Sequence, residues 1–123
     1  MVSELCRGKG KRQAYLQALS CCRNDEVCEM LGRFRRYDPV PGLDCLLATH
    51  AALAAFMEND TFEDTLLSAV NLGGDADTVG AIAGSLAGSH YGIGSVPRRW
   101  LSGLHGLSRV TSAAWNLWEV ARE

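Results

Sequence analysis

The sequence predicts an all-α protein. Apolar residues recur at three- and four-residue spacing along nearly the whole chain, strand-like alternation is absent, and proline-containing breaks separate the periodic segments. The 123 residues fit one domain, with no internal repeat and no low-complexity linker.

The elements follow in order. Residues 11–22 place Tyr15, Leu16, Leu19 and Cys22 at helical spacing. Asn24 or Asp25 caps a second helix, with Val27, Cys28, Leu31 and Phe34 on one face. "YDPVPG" (Tyr37 to Gly42) interrupts it, because each proline disfavours helix just before it. "LDCLLATHAALAAF" reads as a well-buried helix with Leu46, Leu47, Leu53 and Phe56 as bulk. Asp60 or Thr61 caps the next, with acids in its first turn and Phe62, Leu66 and Leu67 as apolar positions. After "NLGGDADT" a helix runs from about Asp77 to Tyr91 and ends at Gly92 and Gly94. "SVPRRWLSGL" starts another at Pro97, a favoured first helical position. "SRVTSAAWNLWEVARE" closes the chain, with Val110, Ala114, Leu117 and Val120 or Ala121 as its stripe. Trp100, Trp115 and Trp118 are expected in the core. His50 and His105 are expected in helices, in structural roles.

Gly80, Gly84 and Gly88 recur every four residues and form a groove on one helix face. Glycine costs about 1 kcal/mol per helix position relative to alanine. Three on one stripe predict a neighbouring helix at close backbone approach. Val79, Ile82 and Leu86 supply bulk beside the groove, so this helix is expected to be central and buried.

Composition narrows the function classes. No apolar run is long enough to span a bilayer. Residues 1–23 carry five basic residues and one acid, faintly like a transit peptide, but lack a secretory apolar core; no removed targeting segment is expected. Five cysteines, an odd number without a C-x-x-C pair, argue against a disulfide framework or zinc ribbon. Reduced thiols in an intracellular compartment are expected: cytoplasm, nucleus or mitochondrial matrix. "RFRR" (Arg33 to Arg36) is short and reads as a solvated helix end, so no direct nucleic-acid binding is expected. Residues 37–97 hold eight acids and no Lys or Arg. Carboxylates brought together there need a cation from another segment or a metal.

Asp75 and Asp77 stand where the chain enters the glycine-striped helix. Asp is a favoured N-cap, and capping is the simplest role for either. Two Asp and a Thr after Gly73-Gly74 exceed what a cap requires. Carboxylate and hydroxyl oxygens suit a hard cation such as Mg²⁺ or Mn²⁺. The glycines let the backbone turn sharply or approach an anionic ligand. An EF-hand reading fails, since the fifth and twelfth positions from Asp75 are Val79 and Leu86.

The stretch "AVNLGGDADTVGAIAGSLAGSHYG" (Ala69 to Gly92) resembles the C-terminal metal motif of the ADP-ribosylglycohydrolases, approximately G-G-D-[ST]-D-T-[IV] followed by a small-residue helix ending in A-x-Y-G. "SVPRRW" is similar to the segment that follows in the family, and "PGLDCLLATHAALAAF" to its glycine-containing substrate loop and buried helix. The resemblance covers residues 40–123 and is most like the branch that removes ADP-ribose from serine. It implies the C-terminal part of an orthogonal helix bundle, within a single partial domain spanning residues 1–123. It also implies a two-Mg²⁺ centre with Asp75, Asp77 and Thr78 as ligands, and main-chain substrate contacts at Gly42, Leu43, Gly73 and Gly74. Ala76 departs from the usual Thr or Ser, at a position that is not a principal ligand. The implied substrate is an ADP-ribosylated protein or another ADP-ribose compound. The family's first half carries a Thr-Asp-Asp cluster and the candidate acid or base. No T-D-D or S-D-D occurs here. The resemblance therefore implies a fragment inactive alone, with its catalytic acid or base unassigned. The competing expectation is a non-catalytic helical scaffold or interaction module in which the Asp pair only caps a helix.

Overall fold

The computed structural model describes residues 1–40 and 42–122. Eight α-helices make up the described chain, with no strand among the described residues: α1 (Val2–Cys6), α2 (Lys11–Ser20), α3 (Asp25–Gly32), α4 (Cys45–Glu58), α5 (Phe62–Val70), α6 (Ala76–Tyr91), α7 (Arg98–Gly103) and α8 (Leu107–Val120). Short 3-10 turns occupy Phe34–Arg36 and Ile93–Ser95. No described helix is long and apolar enough to cross a membrane.

The centre is the α4–α5–α6 unit. Residues 48 and 50–56 of α4 are all buried. Its alanines let the neighbouring helices come close, and fully buried Phe56 contributes about 2–3 kcal/mol of apolar burial. Ala48, Ala51 and Ala52 share one buried cluster with Val79 and Ala83, near the start of α6. Phe56, near the end of α4, packs edge-on against His90 and Tyr91 at the end of α6, with ring centroids 5.8 and 6.4 Å apart. The two helices therefore run parallel. Their N-termini, including Gly42–Asp44 and Asp75–Thr78, lie at the same end of the unit.

α5 runs antiparallel to α6 along the glycine groove. A Cβ at Gly80 would meet Val70 Cγ1 at 3.0 Å, one at Gly84 would meet Leu66 Cδ1 at 3.7 Å, and one at Gly88 would meet Phe62 Cε2 at 3.9 Å. This corrects the expectation of close backbone approach. Side chains of α5 fill the groove, and only Gly80 is tight. Val79 and Leu86 are buried and Ile82 half-buried, as the bulk beside it.

The N-terminal helices cover the other side. Leu5 of α1, unread as helix from the sequence, is buried with Phe56, Leu86 and Ala87. The Tyr15 hydroxyl donates to the Leu31 carbonyl at 2.8 Å and ties α2 to α3. On α2 it is Ala14, not Leu16, that is buried; Leu16 is 52% exposed. Buried His50 bonds through Nε2 to the Phe34 carbonyl at 2.8 Å, the structural role expected of it.

Four further expectations change. Leu67 faces solvent rather than the core. Pro97 stands at the N-cap of α7, one residue before the helix. His105 lies in the exposed turn between α7 and α8, not in a helix. Every residue of α8 from Ser108 onward is exposed, so Val110, Leu117, Val120, Trp115 and Trp118 are not core. Helical periodicity shows that a helix has an apolar face, not that anything covers it. Trp100 does join the core margin, 6.2 Å from the Phe62 ring.

Candidate functional site

The chain passes from α5 to α6 in five residues, Asn71 to Asp75. Gly73 and Gly74 both take left-handed backbone, with φ of 79° and 59°. A side chain at either position would be strained, so this turn requires the two glycines. Leu72 anchors the turn against the core cluster of Ala69, Val79 and their neighbours.

Asp75 holds the N-cap position of α6, and its carbonyl accepts from Val79 N at 3.0 Å. Its side chain makes no capping bond. The other polar N-caps behave differently. Asn24 accepts from Val27 N, Asp44 from Leu46 N and Leu47 N, and Thr61 from Asp64 N. The backbone explains this: those three are extended, with ψ between 121° and 158°, whereas Asp75 has ψ 59°. The Asp75 carboxylate is therefore turned away from the cap and free for another partner.

The neighbouring Asp75 carboxyl, and then the N–H groups of Thr78 and of Asp77 itself, hold the Asp77 pKa below the usual carboxylate value. Asp77 and Thr78 are exposed, and Asp75 is half-buried. No Lys or Arg forms a salt bridge with either carboxylate among the described residues; the ion pairs join Glu4 to Arg7 and Lys9, Glu29 to Arg33, and Glu63 to Arg99. The turn thus presents two carboxylates and a hydroxyl without a protein cation. That donor set fits a hard divalent ion. It is incomplete by itself, since no group of three or more His, Cys, Asp or Glu side chains suited to a metal forms among the described residues.

Gly42 and Leu43 precede α4 at this same end. Leu43 is 91% exposed, and a Cβ at Gly42 would meet Leu47 Cδ1 at 3.0 Å, so bulk there would disturb the α4 entry. Pro41, beside them, lies outside the described residues. A separate apolar cleft of about 350 Å³ lies between the N-terminal helices and the α4/α6 face, lined by Tyr15, Leu19, Cys22, Leu31, Leu53 and Ile82 among others. Neither aspartate lines it.

Sequence reasoning passed over one cluster. Cys22 Sγ bonds to the Asn24 carbonyl at 3.5 Å, and the same oxygen accepts from Cys28 N at 2.9 Å. The Cys22 thiol beside it, and then burial, push the Cys28 thiol up. A five-residue gap between cysteines has no motif signature; only the α2–α3 turn brings them together.

Fold and site together define an all-helical protein that offers paired carboxylates at the head of a buried, glycine-striped helix. The chain belongs to the ADP-ribosylglycohydrolase family, whose model matches residues 1–123. It is similar to the ADP-ribosyl-[dinitrogen reductase] glycohydrolase of Rhodospirillum rubrum, 35% identical over 85% of this chain and 34% of that protein. It is 41% identical to the ADP-ribosylarginine hydrolase Tri1 of Serratia proteamaculans over 59% of this chain and 20% of Tri1. It is 29% identical to human ADP-ribosylhydrolase ARH3 over 85% of this chain and 30% of ARH3. The chain spans about a third or less of the length of these relatives. No solved structure matches it.

Proposed function

We propose that this chain carries part of the metal-dependent centre of an ADP-ribosylhydrolase, which removes ADP-ribose from modified proteins or from other ADP-ribose compounds. The relatives' names support the reaction class. The observation that carries the site is the Asp75 side chain, which leaves the cap of α6 unmade two residues before the Asp77 carboxylate.

In this reading Asp75, Asp77 and Thr78 hold Mg²⁺, with Mn²⁺ as a substitute. The metal supplies Lewis-acid polarisation and orientation of ribose oxygens. The chain's own contribution is positional. The left-handed Gly73-Gly74 turn sets the two carboxylates at the head of α6, and the buried helix behind it holds them still. The same glycines put no side chain between the turn and a nucleotide, with Gly42 and Leu43 offering backbone at the same end. Mg²⁺ takes about six oxygens, of which this turn supplies three side chains. The remaining ligands, and the acid or base that moves protons, are assigned to polypeptide other than these 123 residues, so the chain alone is expected to bind metal weakly and to turn nothing over.

Water-proton relaxation during Mn²⁺ titration tests the ligand assignment. Weak binding that is lost in Asp75→Asn and in Asp77→Asn supports it. Binding unchanged in both variants refutes it.

A further inference from the structure

We propose that Cys22 and Cys28 form a redox-active dithiol that closes to a disulfide across the α2–α3 turn. The five cysteines differ in setting. Cys6, Cys21 and Cys45 are exposed and lie on three different segments. Cys22 and Cys28 are both half-buried and meet at one backbone oxygen, the Asn24 carbonyl, which takes Cys22 Sγ at 3.5 Å and Cys28 N at 2.9 Å. Cys22 follows the end of α2 by two residues, and Cys28 lies in the first turn of α3. The main chain between them is held from both sides at Asn24: its carbonyl receives Cys22 Sγ and Cys28 N, and its side chain caps α3 through Val27 N. The turn therefore holds the Cys22 sulfur beside the backbone of Cys28 in the reduced state, and little chain entropy remains to be lost on closure.

The step balances with a peroxide as oxidant. One thiolate attacks a peroxide oxygen, the O–O bond breaks, and a sulfenic acid and one water form. The second thiolate attacks that sulfur, the S–O bond breaks, the S–S bond forms, and the oxygen leaves as a second water. Two thiols are oxidised by two electrons and the peroxide is reduced. Cys22 also lines the apolar cleft between the N-terminal helices and α4/α6, so closure draws one sulfur out of the cleft wall.

The test is thiol titration and peptide mapping after mild hydrogen peroxide treatment. Trypsin cuts after Arg23 and so separates Gln13–Arg23 from Asn24–Arg33, each carrying one member of the pair. The expected result is a fall from five free thiols to three, with these two peptides joined until reductant is added. Cys21→Ser should leave the link intact; Cys22→Ser and Cys28→Ser should each abolish it. In guanidinium, where the turn is gone, the link should form more slowly. Five surviving thiols, a bridge through Cys21, Cys6 or Cys45, a link only between chains, or equal rates in guanidinium would each overturn the proposal.

Discussion

The Lys11 ammonium donates to the Phe56 carbonyl at 2.8 Å and stands 4.6 Å from the centroid of the Phe56 ring. It also donates to the Asn59 carbonyl, while the Tyr91 hydroxyl reaches that same oxygen at 3.0 Å. A cation from α2 thus closes the C-terminus of α4, where carbonyls lack helical partners and the helix end is negative.

Lys11→Met should lower stability by about 1–2 kcal/mol through loss of this charged cap. The urea midpoint should fall with the slope unchanged. An unchanged midpoint would show the contact to be energetically idle.

His90 gives the pH dependence. Burial, and then the Lys11 charge, hold its pKa below the usual 6.5. The unfolded chain therefore takes the proton first. Stability from the neutral ring is present above about pH 6.5 and is lost as pH falls through the lower folded value. Lys11→Met should move the His90 titration upward, followed by its ring-proton NMR shift against pH.

Gly84→Ala should stabilise by up to about 1 kcal/mol, because a methyl there makes ordinary contact with Leu66 and gains helix propensity. Gly80→Ala meets Val70 Cγ1 at 3.0 Å, and a β-branched neighbour has few rotamers to give way. Its melting temperature should not rise. Equal rises in both variants would mean that the α5–α6 contact is looser than described.

Joined to polypeptide bearing the Thr-Asp-Asp cluster, the chain should release ADP-ribose from a modified peptide in Mg²⁺. Asp75→Asn or Asp77→Asn should then cut the rate on the order of 100-fold or more. Comparing serine- and arginine-modified peptides in that assay reads the linkage preference. Turnover by the 123 residues alone would contradict the division of labour proposed above.

Removing residues 107–123 should change the melting temperature little, since no described residue of α8 from Ser108 onward is buried. Trp115 and Trp118 emission should be that of solvated indoles. A large loss of stability would show that the helix is packed in solution.

Local chemistry was the legible part. The caps could be read to within one residue, Asn24 or Asp25 and Asp60 or Thr61, because a polar side chain precedes an acidic first turn; the backbone selects Asn24 and Thr61. The centrality of α6 followed from glycine spacing, and Gly73-Gly74 signalled a sharp turn or a close approach to a ligand, of which the structure shows the turn. What fills the groove did not, since glycines announce space but not its occupant. Lys11 capping α4 joins residues 45 apart in sequence, beyond any spacing rule. Five-residue α1 is too short to show a period. The uncapped state of Asp75 turns on one backbone angle, which no residue pattern encodes.

The contiguity of α4, α5 and α6 has a kinetic consequence. Links of three and five residues join them, so closing their mutual contacts confines very little loop. Contacts this local form quickly, ahead of the long reach from α2 to the end of α4. The Asp75–Thr78 turn would then be ordered early, as part of the first cooperative unit to assemble. Amide hydrogens on the buried side of α6, at Val79, Ala83 and Ala87, should exchange with deuterium the most slowly, and those of α8 almost at once.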